Sequence, residues 1–502
     1  MDRMGKALRA GFLACVLSAL PSCGGGGGGG GSSPPFEMVY VLEESSSGSS
    51  GQVEYFPMNP GNGSFYPESG AGPVPTSGTV PIALLADPSH PNFLYALNNN
   101  NTTSGTTHGS VQGFSAAGYQ KNMSAVGTAA VTGQNPVGMA IDPGGRYLAV
   151  ADHGNGTRSG SGDVKVFTIS SGTVSSLGTW LSSQSCANPF RVVFAPDSSG
   201  SSSDTVIVAC SSPEIWGSSS NPGVAVYACP ITNLVSGSCQ KILAYGSISQ
   251  NVSPQNFALV NFLFVPGTST AVGPVLSGSS SGVPTAWLLV CDFASITTNS
   301  CSTTLSKIDS ASPGFLPSGN VAFSGSGSSA RLYVGNYYPS ASGGFIPSGS
   351  SEFSSCSSST SSSWTCSSLL KGNSSSTPGP IYFYATGNTL YIAATETPIN
   401  GAYTISNNNS TTSGGHAPTS GGTLYACALS GISSSSPSCS SKTTGGWPVA
   451  ITVDPQTGNY LFVPTLSGTV DLYSGASTGN LSRLTGPAVA SGYLPLSVLV
   501  LP

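Results

Sequence analysis

Along most of the chain apolar and polar residues alternate in short runs rich in Val, Ile, Leu, Tyr and Phe, each closed by Gly, Pro, Ser or Asn. A period of two marks a β-strand with one face buried, and no stretch keeps the 3.6-residue period of a helix. The runs also come in a fixed order. A proline opens the first: Pro81-Ile-Ala-Leu-Leu-Ala-Asp-Pro88, Pro136-Val-Gly-Met-Ala-Ile-Asp-Pro143 and Pro189-Phe-Arg-Val-Val-Phe-Ala-Pro196. The same opening returns at Pro254, Pro317, Pro378 and Pro448, and finally as Pro495-Leu-Ser-Val-Leu-Val-Leu-Pro502. A second run follows, as in Phe93-Leu-Tyr-Ala-Leu97, Tyr147-Leu-Ala-Val-Ala151, Phe262-Leu-Phe-Val265 and Tyr460-Leu-Phe-Val463. A third often begins with glycine, at Gly51, Gly109, Gly162 and Gly468.

Repeats of this size, each a few strands that cannot bury their own apolar face, predict an all-β propeller of four-stranded blades. The last repeat stops after its first strand, while residues 38–56 begin with a second strand and a third. The C-terminal strand is therefore expected to complete the N-terminal blade, which closes the circle and removes two sheet edges. Eight openings give eight blades. Seven stays open, because the repeat from Pro254 to Cys301 is irregular.

Composition narrows the class. Charged residues make up 7% of the 502, against about 25% in an average globular protein. Apolar residues at 38% suffice for a core, so the chain is not disordered by composition. The net charge is −5 and the 14 basic residues are scattered, without the basic stripe that a nucleic-acid binder needs.

The N-terminus reads as an export signal: Arg3, Lys6 and Arg9, then an apolar stretch from Gly11 to Leu20 that is too short to span a bilayer. Leu20-Pro21-Ser22-Cys23 resembles a bacterial lipobox, which implies cleavage after residue 22 and a thioether-linked lipid on Cys23. Ordinary cleavage nearby, with Cys23 an idle thiol, is the alternative. Residues 24–35 are Gly, Ser and Pro only, a tether of roughly 20 Å. The expected organisation is a signal peptide over 1–22, a lipidated cysteine and tether over 23–35, and a propeller over 36–502. The expected location is the cell envelope: outer membrane or cell surface, or facing the periplasm.

Ten further cysteines fit an oxidising compartment. Eight form close pairs, Cys229/Cys239, Cys291/Cys301, Cys356/Cys366 and Cys427/Cys439, each an apolar strand, a Ser/Thr-rich turn and the partner. A disulfide across a hairpin is the simplest geometry, worth roughly 3 kcal/mol for each loop. Cys186 and Cys210 flank another predicted hairpin, Arg191 to Ala209. Spacings of ten and twelve with only four histidines argue against a metal site. No phosphate-cradling or cofactor motif is present.

The segment Pro136-Val-Gly-Met-Ala-Ile-Asp-Pro-Gly-Gly-Arg-Tyr-Leu-Ala-Val-Ala-Asp152, continuing through Gly162-Asp-Val-Lys-Val-Phe-Thr-Ile169, resembles the YVTN-repeat and lactonase-like propeller families. Arg331-Leu-Tyr-Val-Gly-Asn336 repeats the pattern. The resemblance implies a propeller, usually of seven blades, in a group that includes 6-phosphogluconolactonase-like enzymes and many surface proteins of no known activity.

Candidate function residues gather in the connections between second and third strands: Asn98 to Gly109, Asp152 to Gly162, Ser211 to Gly223, Asn336 to Ser351 and Thr395 to Gly422. Long insertions on one face of a repeat fold commonly form its binding face. They carry Asp152, His153 and Arg158, then Glu214 and Trp216, then Tyr337, Tyr338 and Phe345, then Glu396, Tyr403 and His416. Two positions after the repeat proline, next to the central channel, stand Arg191 and Asn256, where other repeats have small or apolar residues. Arg191 is a candidate anion contact, with a structural ion pair as the plainer reading. Aromatics among amides and hydroxyls suit a glycan, another small polar ligand or a protein, so a binding or scaffolding module, monomeric apart from its membrane anchor, is the first reading. A divergent lactone hydrolase at the channel mouth is the second. No residue is assigned a catalytic role, and Gly278-Ser-Ser-Ser-Gly282 is a chance match to a nucleophile elbow.

Overall fold

The computed structural model describes residues 36–66, 72–99, 108–116, 122–154, 162–181, 186, 188–196, 202–210, 224–232, 239–243, 257–259, 261–277, 285–294, 296, 300–302, 305–308, 316–337, 352–360, 363–371, 380–386, 388–394, 422–429 and 439–502. These form eight antiparallel sheets, each an up-and-down blade in chain order. Blade two is Pro81–Ala86, Phe93–Asn98, His108–Ser115 and Ser124–Gln134; blade three is Pro136–Ile141, Tyr147–Asp152, Asp163–Ser170 and Thr173–Trp180. Blade four is Pro189–Pro196, Ser202–Cys210, Ala225–Pro230 and Gln240–Leu243. Blade six is Leu316–Ser324, Arg331–Tyr337, Glu352–Thr360 and Ser363–Lys371; blade seven is Pro380–Thr386, Thr389–Ala394, Thr423–Ala428 and Cys439–Thr443. Blade eight is Thr452–Val453, Tyr460–Thr465, Thr469–Ser474 and Ser482–Leu484. The proline that opens blade seven is thus Pro380 rather than Pro378.

Blade five departs from the expected pattern. Phe262 to Val265 is not its second strand. Leu263–Phe264 continues the first strand after a break, with both pieces, Phe257–Leu259 and Leu263–Phe264, pairing to Thr270–Ser277. Buried Asn261 sits in the break and its Oδ1 accepts the Phe262 N–H at 2.8 Å. Thr285–Asp292 and Ser306–Lys307 complete the blade. The irregular text from Pro254 to Cys301 is an interrupted inner strand, not a missing blade, and the count is eight.

Blade one closes the ring as expected. Its first strand is C-terminal, Tyr493–Leu501, and it pairs with Glu37–Ser45, followed by Gly51–Met58 and Val74–Pro75. The register places Met38 opposite Leu501 and Val41 opposite Val498. Strand alternation then divides Glu37–Ser45 between two neighbours. Met38, Tyr40 and Leu42 pack with Leu84, Leu94 and Phe114 of blade two, whereas Val39 and Val41 pack with Phe462, Val470 and Leu472 of blade eight. Each neighbouring pair of blades shares one such apolar layer, and first strands of adjacent blades lie against each other around the axis.

Two recurring sequence signals have local causes. At Gly51, Gly109 and Gly162 the glycine that opens a third strand lies under the proline that opens the next blade, whereas Gly468 takes a left-handed φ of 82°. A Cβ on Gly51 would come 2.8 Å from the Pro81 ring, and one on Gly162 would come 2.7 Å from that of Pro189; Gly109 meets Pro136 in the same way. Only glycine leaves that room. The Asp of the Asp-Pro and Asp-Pro-Gly turns caps the turn between first and second strands. Asp87 Oδ1 accepts the N–H groups of Ser89 and His90, both at 2.9 Å. Asp142 accepts those of Arg146 and Tyr147, and Asp454 those of Thr457, Gly458 and Tyr460. Such turns bind their own backbone through the carboxylate.

All five expected disulfides are formed: Cys186–Cys210, Cys229–Cys239, Cys291–Cys301, Cys356–Cys366 and Cys427–Cys439. The last three join residues directly opposite on adjacent strands.

Candidate functional site

The blade order sorts the connections onto two faces. Turns between first and second strands, all on one face, run from two to six residues. That face also carries hairpin turns between third and fourth strands of up to 15 residues. The other face carries the connections between second and third strands, and those of blades four, six and seven are 14, 14 and 28 residues long. The corresponding segments in blades eight, one, two, three and five have 3, 5, 9, 10 and 7.

Asp152 ends the second strand of blade three and pairs in register with Asp163, which begins the third. Asp152 is wholly buried and neither of its carboxylate oxygens makes a well-formed hydrogen bond. Burial first, and then the facing charge of Asp163, holds the Asp152 carboxyl well above the usual carboxylate range; the backbone of Gly133 and the Lys165 ammonium pull the other way and are outweighed. Lys165 Nζ lies 3.4 Å from Asp163 Oδ2, so the second carboxylate has a cation and the first does not. Gly133, at the end of blade two, covers the pair: a Cβ there would stand 2.7 Å from both Asp152 Cγ and Asp163 Oδ1. Asp152 therefore sits beneath the segment that leads from blade two into blade three, while the Asp163 side chain stays partly exposed.

His153 and Arg191 are also buried, 3% and 4% exposed, and both have partners. The His153 N–H donates to the Asn135 carbonyl, just as the Asn99 N–H donates to that of Val80 one blade earlier. Beside Arg191, Gly138 occupies the equivalent position of blade three, and a Cβ on it would come 2.9 Å from the Phe190 carbonyl. That glycine is what lets the two inner strands approach. Arg191 is thus buried where the inner strands of blades three and four meet.

Asparagines line the rim around these residues. Asn99 Nδ2 donates to Asn135 Oδ1 at 3.3 Å, and Asn135 Nδ2 donates to the Gly154 carbonyl at 2.6 Å. Asn135 and Asn188 precede the opening prolines of blades three and four and share a left-handed backbone, φ 51° and 55°. Asn188 is buried with neither amide atom hydrogen-bonded. The asparagines and Asp163 were absent from the sequence-level candidates. Asp163 was accessible in principle, since the hairpin register from Leu148 places it opposite Asp152.

Of the other candidates, Asn256, Arg158, Glu214, Trp216, Tyr338, Phe345, Glu396, Tyr403 and His416 lie outside the described residues, as does Cys23. Tyr337 closes the second strand of blade six. Among the described residues no three His, Cys, Asp or Glu side chains gather as a metal site. Asp152, His153 and Arg191 are all buried in the structure.

No curated protein sequence matches the chain. A candidate 6-phosphogluconolactonase from Bacteroides uniformis superposes with TM-score 0.46 at 14% identity, covering 82% of this chain and 100% of that one. The Chaetomium thermophilum protein Sqt1, bound to the N-terminus of ribosomal protein L10, gives 0.48 at 13%, covering 80% and 86%. AztD from Citrobacter koseri gives 0.47 at 9%, covering 93% and 98%. Residues 38–189, the first three blades, match the family model described as lactonase, 7-bladed beta-propeller, within a ring that here has eight.

Proposed function

We propose that this protein is a binding or scaffolding propeller of the cell envelope, anchored by lipid on Cys23, that holds a glycan, another small polar ligand or a protein on the face where second strands run into third strands. The observation that carries this reading is the placing of 14-, 14- and 28-residue connections on that face in blades four, six and seven. An insertion on the surface of a rigid ring costs little stability, because loop-closure entropy grows only slowly with length. With charged residues at 7% of the chain, the contacts such loops offer are hydroxyls, amides and aromatic rings, which fit neutral polar ligands.

Lactone hydrolysis is the second reading, favoured by the match over residues 38–189. It requires an acid–base group and an oxyanion stabiliser in reach of substrate. The described candidates do not supply them, since Asp152, His153 and Arg191 are 0%, 3% and 4% exposed.

Screening the purified protein on a glycan array, beside a variant in which residues 395–422 are replaced by a short Gly-Asn turn, tests the first reading. Binding should fall at least about tenfold in the variant, and equal binding by both would overturn it. Lactone turnover above buffer by the purified protein would establish the second, and no turnover would dismiss it. Palmitate labelling that is unchanged in Cys23→Ser would dismiss the anchor.

A further inference from the structure

We infer that the ring divides into a half stapled by disulfides and a half without them, and that a dithiol reductant loosens only the stapled half, blades four to seven. The inference rests on strand order and cysteine placement and does not require the ligand-binding reading above.

Every disulfide falls in blades four to seven. Residues 36–185 and 440–502, which supply blades eight, one, two and three, contain no cysteine at all. Four of the five bonds run from the third strand of a blade to its fourth strand or the segment leading into it, once in each of the four consecutive blades. The fifth, Cys186–Cys210, ties the segment entering blade four to the end of that blade's second strand.

The other half is fastened by polar side chains. Asp454, Asp87 and Asp142 cap turns in blades eight, two and three. Side chains of this half also secure the segments that connect blades. Asn98 Nδ2 donates to the Thr76 carbonyl at 2.7 Å, Glu54 Oε2 accepts the Ala490 N–H at 3.0 Å, and Asp471 accepts both the Gly445 N–H and Arg483.

The staples do not simply track insertion length, since blade five is stapled with a 7-residue connection while blades two and three have 9 and 10 and no cysteine. In blades four, six and seven the third strand begins only after 14, 14 and 28 residues, a connection that costs more chain entropy to close than a short hairpin. A covalent link from that strand toward the next fixes its pairing. Among the stapled fourth strands Gln240–Leu243, Ser306–Lys307 and Cys439–Thr443 are short, as are Val74–Pro75 and Ser482–Leu484 in the half without cysteine. Without their staples the first three retain few ladder hydrogen bonds. Reduction of each bond takes two electrons and two protons, leaves two thiols, and oxidises the dithiol to its own disulfide. The predicted product is a ring still closed at the C-terminal strand whose outer edge is frayed over half its circumference.

Hydrogen–deuterium exchange on the full chain, with and without dithiothreitol, tests this. The fourth strands of blades four to seven should exchange on the order of tenfold faster after reduction, while Glu37–Ser45, Tyr493–Leu501 and the strands of blades two and three keep their protection. Faster exchange in all eight blades, opening of the closing strand pair, or no change anywhere would overturn the inference. A Cys356→Ser/Cys366→Ser variant under oxidising conditions isolates one staple, should full reduction cause aggregation. Its effect should stay within Ser363–Lys371 and the facing part of Glu352–Thr360, and an effect spread around the ring, or none, contradicts the inference.

Discussion

Glu37 and Glu43 lie on one strand of blade one, both wholly buried in a protein with few cations to pair them. Glu37 Oε1 accepts the Gln456 N–H at 3.1 Å across the junction with blade eight, yet burial, and secondarily the Asp454 charge, raises its carboxyl to about 7. Glu43 Oε2 accepts from Gln52 Nε2 at 2.7 Å, and burial still raises it to about 9. In each case the folded state holds a proton more tightly than the unfolded chain, whose carboxyl titrates near 4.5. The stability they contribute is therefore complete below that value and is lost as pH rises through 7 for Glu37 and 9 for Glu43. For Glu37 alone the loss is about 3 kcal/mol. The melting temperature should be higher at pH 5 than at pH 9, and Glu43→Gln should flatten the upper part of that slope. A melting temperature that rises steadily from pH 5 to pH 9 would contradict this account of the seam.

At the scale of elements, the aspartate caps explain how turns of five or six residues reverse the chain without a hairpin-type Asn-Gly pair. Asp454 receives three backbone N–H groups and the Thr457 hydroxyl. Asp454→Ala should destabilise the protein by about 1–3 kcal/mol, because buried donors lose their acceptor, and Asp454→Asn should recover part of that loss. Thermal denaturation of the two variants measures it, and equal stability of Asp454→Ala and the parent would remove the capping role. The same elements show what could be read in advance. Period-two runs, repeat prolines and strand-opening glycines located nearly every strand, because each signal arises from a local steric or burial requirement. Blade five was misread because Phe262 to Val265 carries the residues of a second strand, and only pairing with Thr270–Ser277 assigns it to the first. The site was less legible. Arg191 and Asp152 looked like exposed chemistry beside a channel, whereas both are buried, with Gly133 of blade two packed on Asp152 and Gly138 of blade three against the backbone beside Arg191, contacts that no single repeat encodes.

For the whole molecule, the last strand of the chain matters more than any one residue. Tyr493–Leu501 lies between Glu37–Ser45 and the axis, and its alternate side chains join the apolar layers on both sides: Leu499 and Leu501 toward blade two, Val498 and Val500 toward blade eight. Thr452 Oγ1 adds a hydrogen bond to the Val498 carbonyl at 2.8 Å. With this strand in place the ring has no open sheet at its inner edge, and the long connections of blades four, six and seven project from a fixed frame. A Val41→Cys/Val498→Cys variant tests the closure most directly, since these residues are Cα partners across it. Oxidation followed by peptide mapping should yield an intramolecular link between the two ends of the chain in nearly every molecule, with little in a Val41→Cys/Leu499→Cys control whose side chains face opposite ways. Failure of the first pair to link, or equal linking in both, would contradict a ring closed in this register.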